Sequence, residues 1–286
     1  AAGWKVVDHG HDYRLEPAHP PDREVGGVRR YGASATVPSR LGEPVVAPAT
    51  VVLVVGSRAD RITSSAMALQ QVAPPGTQLA VVAEDPDHET EALLVALPQS
   101  VEVVRLASAV GLAACWNSGL RRAVGEIVVL VGPDVEIRGD VVSPVVEALA
   151  DETVAVVGAT GLSSPDMRRW EADSGPEVDA VDAELLAFRR ADAVDGGPLE
   201  ERFNTARYLA VWWSLVLRDR GTDEPPRRAL VLPLAVERSR EAPATDERDR
   251  ATRRDFYRIV DRFGRRYELL RRPVRPRAAG TTKQPR

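Results

Sequence analysis

The feature of the sequence that most constrains its fold is a series of apolar runs that alternate with helical segments from Thr50 onwards. The first run, TVVLVV at 50–55, is rich in β-branched residues and has no polar alternation. Such a run is typical of a strand covered on both faces of a parallel sheet. The segment at 61–72 has helical character and ends before Pro74. Repeated strand–helix alternation requires crossover connections, so it predicts an α/β fold with a mostly parallel sheet and helices on both faces.

The same alternation continues along the chain. We predict further strands at 78–84, 101–106, 126–131 and 153–160, and helices at 88–97, 112–124 and 141–149. After Gly158 the pattern changes. A polar loop precedes a predicted strand at 182–190, a helix in the second half of 203–221, a strand at 228–239 and an amphipathic helix at 247–270.

Composition divides the chain into four predicted parts. Residues 1–48 are rich in Pro, Gly and charge and are expected to be an irregular N-terminal extension of the main domain at 49–240. A C-terminal amphipathic helix is expected at 241–270, and the basic, Pro-rich segment 271–286 is expected to be a disordered tail.

Composition also limits the class of partner and the compartment. The net charge of −4 does not indicate a nucleic-acid partner. No apolar stretch reaches the ~20 residues of a membrane helix, and no signal-peptide pattern is present. The one cysteine, Cys115, is expected to be a buried structural thiol. We therefore expect a cytoplasmic protein without a transmembrane segment.

Polar and small residues lie next to the predicted strand ends, where ligands bind in open parallel sheets. In chain order they are Ser57, Arg58, Glu84, Asp85, Gly111, Asn117 and Asp134. A carboxylate after the second strand can accept hydrogen bonds from a nucleobase or ribose. A carboxylate after the fourth strand can hold a divalent cation that bridges a diphosphate. Strand-end loops carry such residues in any α/β protein, so a solvated loop remains the alternative for each residue alone.

One segment resembles a known family. Residues 111–137, GLAACWNSGLRRAVGEIVVLVGPDVEI, contain a glycine, a small-residue helix with Asn117 and Gly119, then Gly125-Glu126, an apolar strand and a carboxylate. This order resembles the family 2 glycosyltransferases of GT-A fold. The segment FRRADAVDGG resembles the one that precedes the acceptor-side helix of the family. The resemblance covers roughly residues 49–240 and implies a GT-A-like, Rossmann-like sheet.

The resemblance implies a donor site and a reaction. Asp85 would contact the base of a nucleotide sugar, and Asp134 would be the surviving metal ligand for Mn²⁺ or Mg²⁺ at the donor diphosphate. The full donor-binding set that we predict is Ser57, Arg58, Glu84, Asp85, Gly111 and Asn117. The implied reaction is transfer of the sugar, with inversion, to an acceptor that is a glycan, a lipid or a protein.

The sequence also departs from the family at positions that carry chemistry. The first positions of the metal motif are Gly132 and Pro133, and the general-base position falls on Ala210. Ser239 replaces a frequent histidine, and Trp116 replaces a frequent arginine. A general base alone contributes roughly 10²–10⁴-fold to a rate, so these losses together oppose catalysis.

Two functions therefore stay open from the sequence. The first is an active glycosyltransferase, in which the catalytic residues are unknown and Glu200 and Glu201 are substitute bases. The second is a catalytically inactive homologue that binds a nucleotide sugar or acts as a scaffold. Trp212 and Trp213 are candidates for stacking on a sugar ring, with at least one of them expected in the core. His9 and His11 are weaker candidates for a metal site.

Overall fold

The structure is a computed structural model that describes residues 4–8, 13–17, 20–56, 59–133, 135–238 and 246–271, with side chains from residue 20 onwards except at 246–251. Several residues singled out in the sequence lie outside these ranges. They are His9, His11, Ser57, Arg58, Asp134, Ser239 and all but the first residue of the predicted basic tail.

Helices and strands alternate through most of the chain. The helices are α1 (Asp60–Val72), α2 (His88–Val95), α3 (Leu112–Arg122), α4 (Val142–Leu149), α5 (Arg190–Gly196), α6 (Ala206–Arg218) and α7 (Asp246–Phe263). Short 3₁₀ helices lie at Ser34–Thr36 and Tyr267–Leu269. The strands are β1 (Trp4–Asp8), β2 (Tyr13–Pro17), β3 (Arg23–Val25), β4 (Val28–Arg30), β5 (Ala47–Val54), β6 (Gln78–Glu84), β7 (Val101–Leu106), β8 (Gly125–Val131), β9 (Val135–Ile137), β10 (Val154–Gly158), β11 (Gly161–Ser163), β12 (Glu171–Asp173), β13 (Glu177–Val178), β14 (Ala180–Val181), β15 (Leu185–Arg189), β16 (Arg228–Val231) and β17 (Val236–Arg238).

The centre of the fold is a sheet in which the described residues place eight strands in the order β13-β16-β10-β15-β8-β5-β6-β7. Strands β8, β5, β6 and β7 are mutually parallel, and β16 is parallel to β10. Strand β15 is antiparallel to both of its neighbours, β8 and β10. The predicted α/β class with a mostly parallel sheet is therefore confirmed.

Both faces of the sheet are covered, as the continuous apolar strands require. Alternate residues of β5 enter different cores. Val52 and Val54 belong to the core on the side of α3 and α6, whereas Val51 and Leu53 belong to the core on the side of α1 and α4. All four side chains are almost completely buried. The apolar strands therefore hold the two helical layers together and leave polar residues to the strand ends.

The segment 159–181, which we predicted as a polar loop, forms short strands instead. Strands β11, β12 and β14 make a small separate sheet, and β13 adds an antiparallel strand beside β16. The prediction was wrong because these strands are two or three residues long, which is too short to show a period in sequence. The predicted strand at 228–239 is likewise two strands, β16 and β17, in different sheets.

The N-terminal part contains two hairpins, β1–β2 and β3–β4, although we expected an irregular extension. After β4, Tyr31 lies against the free edge of β7. Its N–H donates to Arg105 O at 2.8 Å, and its carbonyl accepts from Ala107 N at 2.9 Å. These bonds cover an edge that would otherwise expose unpaired backbone groups. The predicted domain boundaries at 48, 240 and 270 stay predictions.

The helices of the described part of the chain include none with both the length and the apolar character that crossing a bilayer requires. The thiol of Cys115 is buried in α3, as expected from the sequence.

Gly119 allows α3 to pack closely on β5. A Cβ atom at this position would lie 2.2 Å from Val52 Cγ1. We expect Gly119→Ala to reduce the free energy of unfolding by about 1–3 kcal/mol, because the helix or the strand must move apart. Urea unfolding measures this change. The matched control is Gly42→Ala, whose Cβ would meet no atom within 4 Å. Equal effects of the two substitutions would contradict the proposed role of Gly119.

Candidate functional site at the strand ends

The carboxyl ends of β6, β5 and β8 lie side by side at one edge of the sheet, because these strands are parallel neighbours. Glu84 ends β6, and Asp85 follows it directly. Residues 57 and 58 after β5 and residue 134 after β8 lie outside the described residues, so the positions of Ser57, Arg58 and Asp134 in the site stay predictions. The strands that carry the predicted site thus meet at one edge, as expected.

Glu84 binds the N-terminus of α3. Its Oε2 accepts hydrogen bonds from the N–H groups of Val110 and Gly111, both at 2.9 Å. These contacts satisfy backbone donors that a helix start leaves unpaired. Gly111 has φ = +89°, a left-handed conformation that glycine adopts without steric cost. Glu84 and Gly111 therefore build the edge of the site together, and their predicted contact with a donor stays a prediction.

Cys115 lies one turn further along α3, with its Sγ 3.7 Å from Glu84 Oε2. Burial raises the pKa of this thiol well above its ordinary value, and the negative charge of Glu84 raises it further. The thiolate is the reactive form of cysteine, so these surroundings keep Cys115 unreactive.

Asp85 presents the exposed carboxylate of the site. Its φ is +40°, and its side chain is 59% exposed. Aspartate is among the residues that tolerate this left-handed region. Arg23 and Arg30 approach Asp85 Oδ1 at 3.8 and 4.0 Å. Within the described residues no hydrogen bond engages this carboxylate, so its oxygens remain able to accept hydrogen bonds from a ligand.

Asn117 is buried in α3 and fixes the loop at 199–201. Its Nδ2 donates to Leu199 O at 2.9 Å and to Glu201 Oε1 at 2.8 Å, and its Oδ1 accepts from Leu199 N at 2.9 Å. The hydroxyl of Ser34 donates to the same oxygen of Glu201. Sequence reasoning missed this structural role, although a polar residue among the small residues of a buried helix face does suggest a satisfied core amide. A donor contact of Asn117 stays a prediction.

A cavity of about 340 Å³ lies between this loop, α6 and α7. Its lining includes Asn117, Glu200, Glu201, Trp212 and Arg262. The guanidinium of Arg262 lies 4.7 Å from the ring centroid of Trp212, a cation–π distance. Trp213 is fully buried and packs edge-on against Phe188. One of the two tryptophans is therefore in the core, as predicted, and Trp212 alone borders the cavity with Arg262 over its ring.

Gly132, at the end of β8, is held against the chain that leads into β15. Its N–H donates to Glu184 O at 3.0 Å. A Cβ atom at this position would lie 2.5 Å from Ala183 O. Because the contact is with backbone, a larger side chain requires the two segments to separate.

The sequence profile described as "Glycosyl transferase family 2" matches residues 61–211, a little over half of the 286 residues. The chain belongs to glycosyltransferase family 2. The match runs from α1 through β8 to α6 and so contains the strand edge described above.

Solved structures of glycosyltransferases share the fold. The mannosyltransferase PcManGT from Pyrobaculum calidifontis, in complex with GDP-Man and Mn²⁺, has a TM-score of 0.50 and 20% identity, over 70% of this chain and 59% of that chain. GalNAc-T7 with UDP, GalNAc and Mn²⁺ has a TM-score of 0.57 and 14% identity, over 77% of this chain and 48% of that chain. S. aureus TarS 1–349 has a TM-score of 0.53 and 16% identity, over 74% of this chain and 63% of that chain.

This family 2 chain therefore aligns with about half to two thirds of the length of those proteins. At such low identities the likeness shows the GT-A fold, which confirms the predicted family and architecture. Comparison with curated proteins gives no significant match.

The metal motif of this family 2 member is closed at its first position. Gly132 leaves no space for a carboxylate beside Ala183 O. The described residues also contain no group of three or more His, Cys, Asp or Glu side chains that could hold a metal ion. They therefore do not make a metal site by themselves, and a metal ligand at Asp134 stays a prediction.

The general-base position is closed as well. Ala210 is fully buried in α6 within the core. The sequence of α6, ARYLAVWWSLVLR, contains no carboxylate. Of the two substitute bases, Glu200 is held by Arg202, whose Nη2 and Nε donate at 2.6 and 2.8 Å. These hydrogen bonds and the charge of Arg202 lower the pKa of Glu200 and make it a weaker base.

A carboxylate restored at the metal motif is expected to destabilise the chain. We predict that Gly132→Asp reduces the free energy of unfolding by at least about 1–3 kcal/mol, because the new Cβ clashes with backbone and the new charge is poorly solvated. The control is Pro133→Asp at the next, half-buried position, for which we expect a loss within about 1 kcal/mol. Thermal or urea unfolding measures both. Full stability of Gly132→Asp would show that the contact with Ala183 is not restrictive.

The ion pair of Glu200 gives a pH-dependent prediction. Since the folded pKa of Glu200 lies below its ordinary value of 4.5, its contribution to stability is present above pH 4.5 and is lost as the pH falls through the lower folded value. Glu200→Gln should therefore be less stable than the parent at pH 7, and the difference should disappear in acid. Urea unfolding at several pH values tests this. A difference that persists at the lowest pH would assign the effect to packing.

Proposed function

We propose that this family 2 chain binds a nucleoside-diphosphate sugar at the carboxyl ends of β5, β6 and β8 and transfers the sugar to an acceptor. The observation that carries the proposal is Asp85, an exposed carboxylate with no hydrogen bond among the described residues, at the end of the strand beside β5. Ligands of open parallel sheets bind at this edge. Family membership supports the same chemistry.

In this proposal Asp85 accepts a hydrogen bond from the nucleotide base, and Ser57 and Arg58 contact the nucleotide after β5. Asp134 lies on the diphosphate side because it follows β8, which is the next strand. The solved structures with GDP-Man and with UDP support this class of donor. The Mn²⁺ in those two structures supports Mn²⁺ or Mg²⁺ at Asp134 as a further part of the proposal.

Transfer with inversion requires a group that accepts the proton of the acceptor hydroxyl. Glu201 is the better of the two substitute bases, because Glu200 is engaged by Arg202. Glu201 borders the cavity beside Trp212, where an acceptor would have an aromatic surface and a carboxylate together. We carry Glu201 forward as the candidate base, and the acceptor remains a glycan, a lipid or a protein.

A second function is favoured by two specific observations. Ala210 is buried in the core, and Gly132 is closed by Ala183 O. Both positions have lost chemical groups, and packing occupies the space that those groups would need. The alternative is therefore a catalytically inactive homologue that keeps the nucleotide-sugar site as a binding or scaffolding module.

Calorimetric titration tests the donor site. We expect UDP-, dTDP- or GDP-sugars to bind the full chain, with Mn²⁺ strengthening the binding if Asp134 is a ligand. Asp85→Ala should weaken binding by about tenfold, since it removes a hydrogen bond to a charged group. The control is Glu89→Ala, an exposed carboxylate on the neighbouring helix α2, which should leave binding unchanged.

The outcomes separate the two functions. Release of nucleoside diphosphate in the presence of acceptor pools, abolished by Glu201→Gln, would support transfer. Binding without turnover would support the inactive homologue. No heat with any donor, with and without Mn²⁺, would overturn the nucleotide-sugar site itself.

A further inference from the structure

We propose that Arg23 and Arg30, from the N-terminal hairpin, complete the base-recognition site at Asp85 and make it selective for uracil or thymine. This inference rests on the proposed function, because it identifies the base of the donor that the same site would take. It adds to the strand-end site two residues that lie outside the matched family segment 61–211.

Hairpin geometry places both arginines over Asp85. Arg23 in β3 and Arg30 in β4 are directly opposite each other, so their side chains lie on one face of the hairpin. The next pair, Glu24 and Arg29, lies on the other face because the side-chain period of a strand is two. Accordingly Arg23 and Arg30 approach Asp85, whereas Arg29 pairs with Asp22 at 3.4 Å.

The arginines are held by groups other than Asp85. Arg23 Nη2 donates to Ala107 O at 3.1 Å, and Arg30 Nη2 donates to Pro86 O at 3.4 Å. Glu91 adds an ion pair to Arg30 at 3.6 Å, and the side chain of Arg30 is only 13% exposed. The two guanidinium groups are thus fixed beside Asp85 at 3.8 and 4.0 Å, which is beyond hydrogen-bond length. A ligand can therefore bond to the carboxylate and to guanidinium N–H groups at the same time.

This arrangement presents one acceptor between two donors. The Watson–Crick edge of uracil or thymine presents the complementary order, a ring N–H between two carbonyl oxygens. Guanine offers a carbonyl and a ring N–H but ends in an amino donor, so it matches in part. Adenine and cytosine place an unprotonated ring nitrogen where Asp85 needs a donor. The expected order of affinity is uracil and thymine first, guanine second, and adenine and cytosine last.

Mismatches are costly here because the protein groups are charged. A base that leaves a desolvated carboxylate or guanidinium without a partner loses its hydrogen bond and also the solvation of that group. The two arginines together also outweigh the single charge of Asp85. The hairpin therefore offers a net positive charge to a ligand that carries a diphosphate, and this attraction weakens with salt.

The test is a titration of the full chain with UDP, GDP, CDP and ADP, under the metal condition that gives the tightest binding. We expect UDP to bind at least about tenfold more tightly than ADP or CDP. Arg23→Ala and Arg30→Ala should each weaken UDP by about tenfold and reduce the UDP-to-ADP ratio. The matched control is Arg29→Ala, on the opposite face of the same hairpin, which should change neither quantity.

Arg30 also pairs with Glu91, so Arg30→Ala requires a check of folding by thermal unfolding. Arg23→Ala keeps the inference testable if that variant unfolds, because the side chain of Arg23 is 49% exposed. UDP selectivity that is the same in Arg23→Ala as in the parent would overturn the inference and leave the donor site standing. Tighter UDP binding by either arginine variant would also overturn it, since the arginines would then compete with the base for Asp85. The absence of binding by any nucleotide would overturn the donor site and the inference together.

Discussion

The close packing of α3 on the central sheet is the contact on which the rest of the structure depends. Gly119 lets the helix approach Val52, and the indole N–H of Trp116 donates to Val131 O at 3.2 Å. Glu84 binds the start of the helix from the end of β6. With α3 fixed in this way, Asn117 is positioned to hold the loop that carries Glu201. One helix thus connects the strand edge, where we propose the donor, with the cavity that we propose for the acceptor.

The same tight packing explains why the scaffold of the family is kept while parts of its chemistry are absent. Trp116 fills the core at a position where the family often has arginine, and Ala210 fills the core at the general-base position. Gly132 allows the segment before β15 to approach β8. Each of these residues suits packing and is unsuited to holding a charge. The donor edge at Asp85 is not affected, because it lies in an exposed turn outside the core. Binding and catalysis are therefore separable in this molecule.

Much of the central fold could be predicted from the sequence, because continuous β-branched runs leave few alternatives. Strands β6 and β7 begin and end at the predicted residues. The antiparallel direction of β15 could not be predicted, since a five-residue apolar strand reads the same in either direction. The hairpin β3–β4 was missed because its three-residue strands are exposed and charged. Their stability comes from pairing and from contacts with β7 and Asp85, which no local pattern records.

The sequence by itself determined the α/β class, the family and the order of polar residues at the strand ends, because all of these depend on local patterns of apolarity and spacing. Only the tertiary structure decided what those residues contact. It directed Glu84 and Asn117 inward to backbone groups, left Asp85 at the surface, and brought Arg23 and Arg30 beside it from more than fifty residues away. The physical reason is that hydrogen-bond partners and charges are chosen by distance in space, and strand pairing sets those distances between segments remote in sequence.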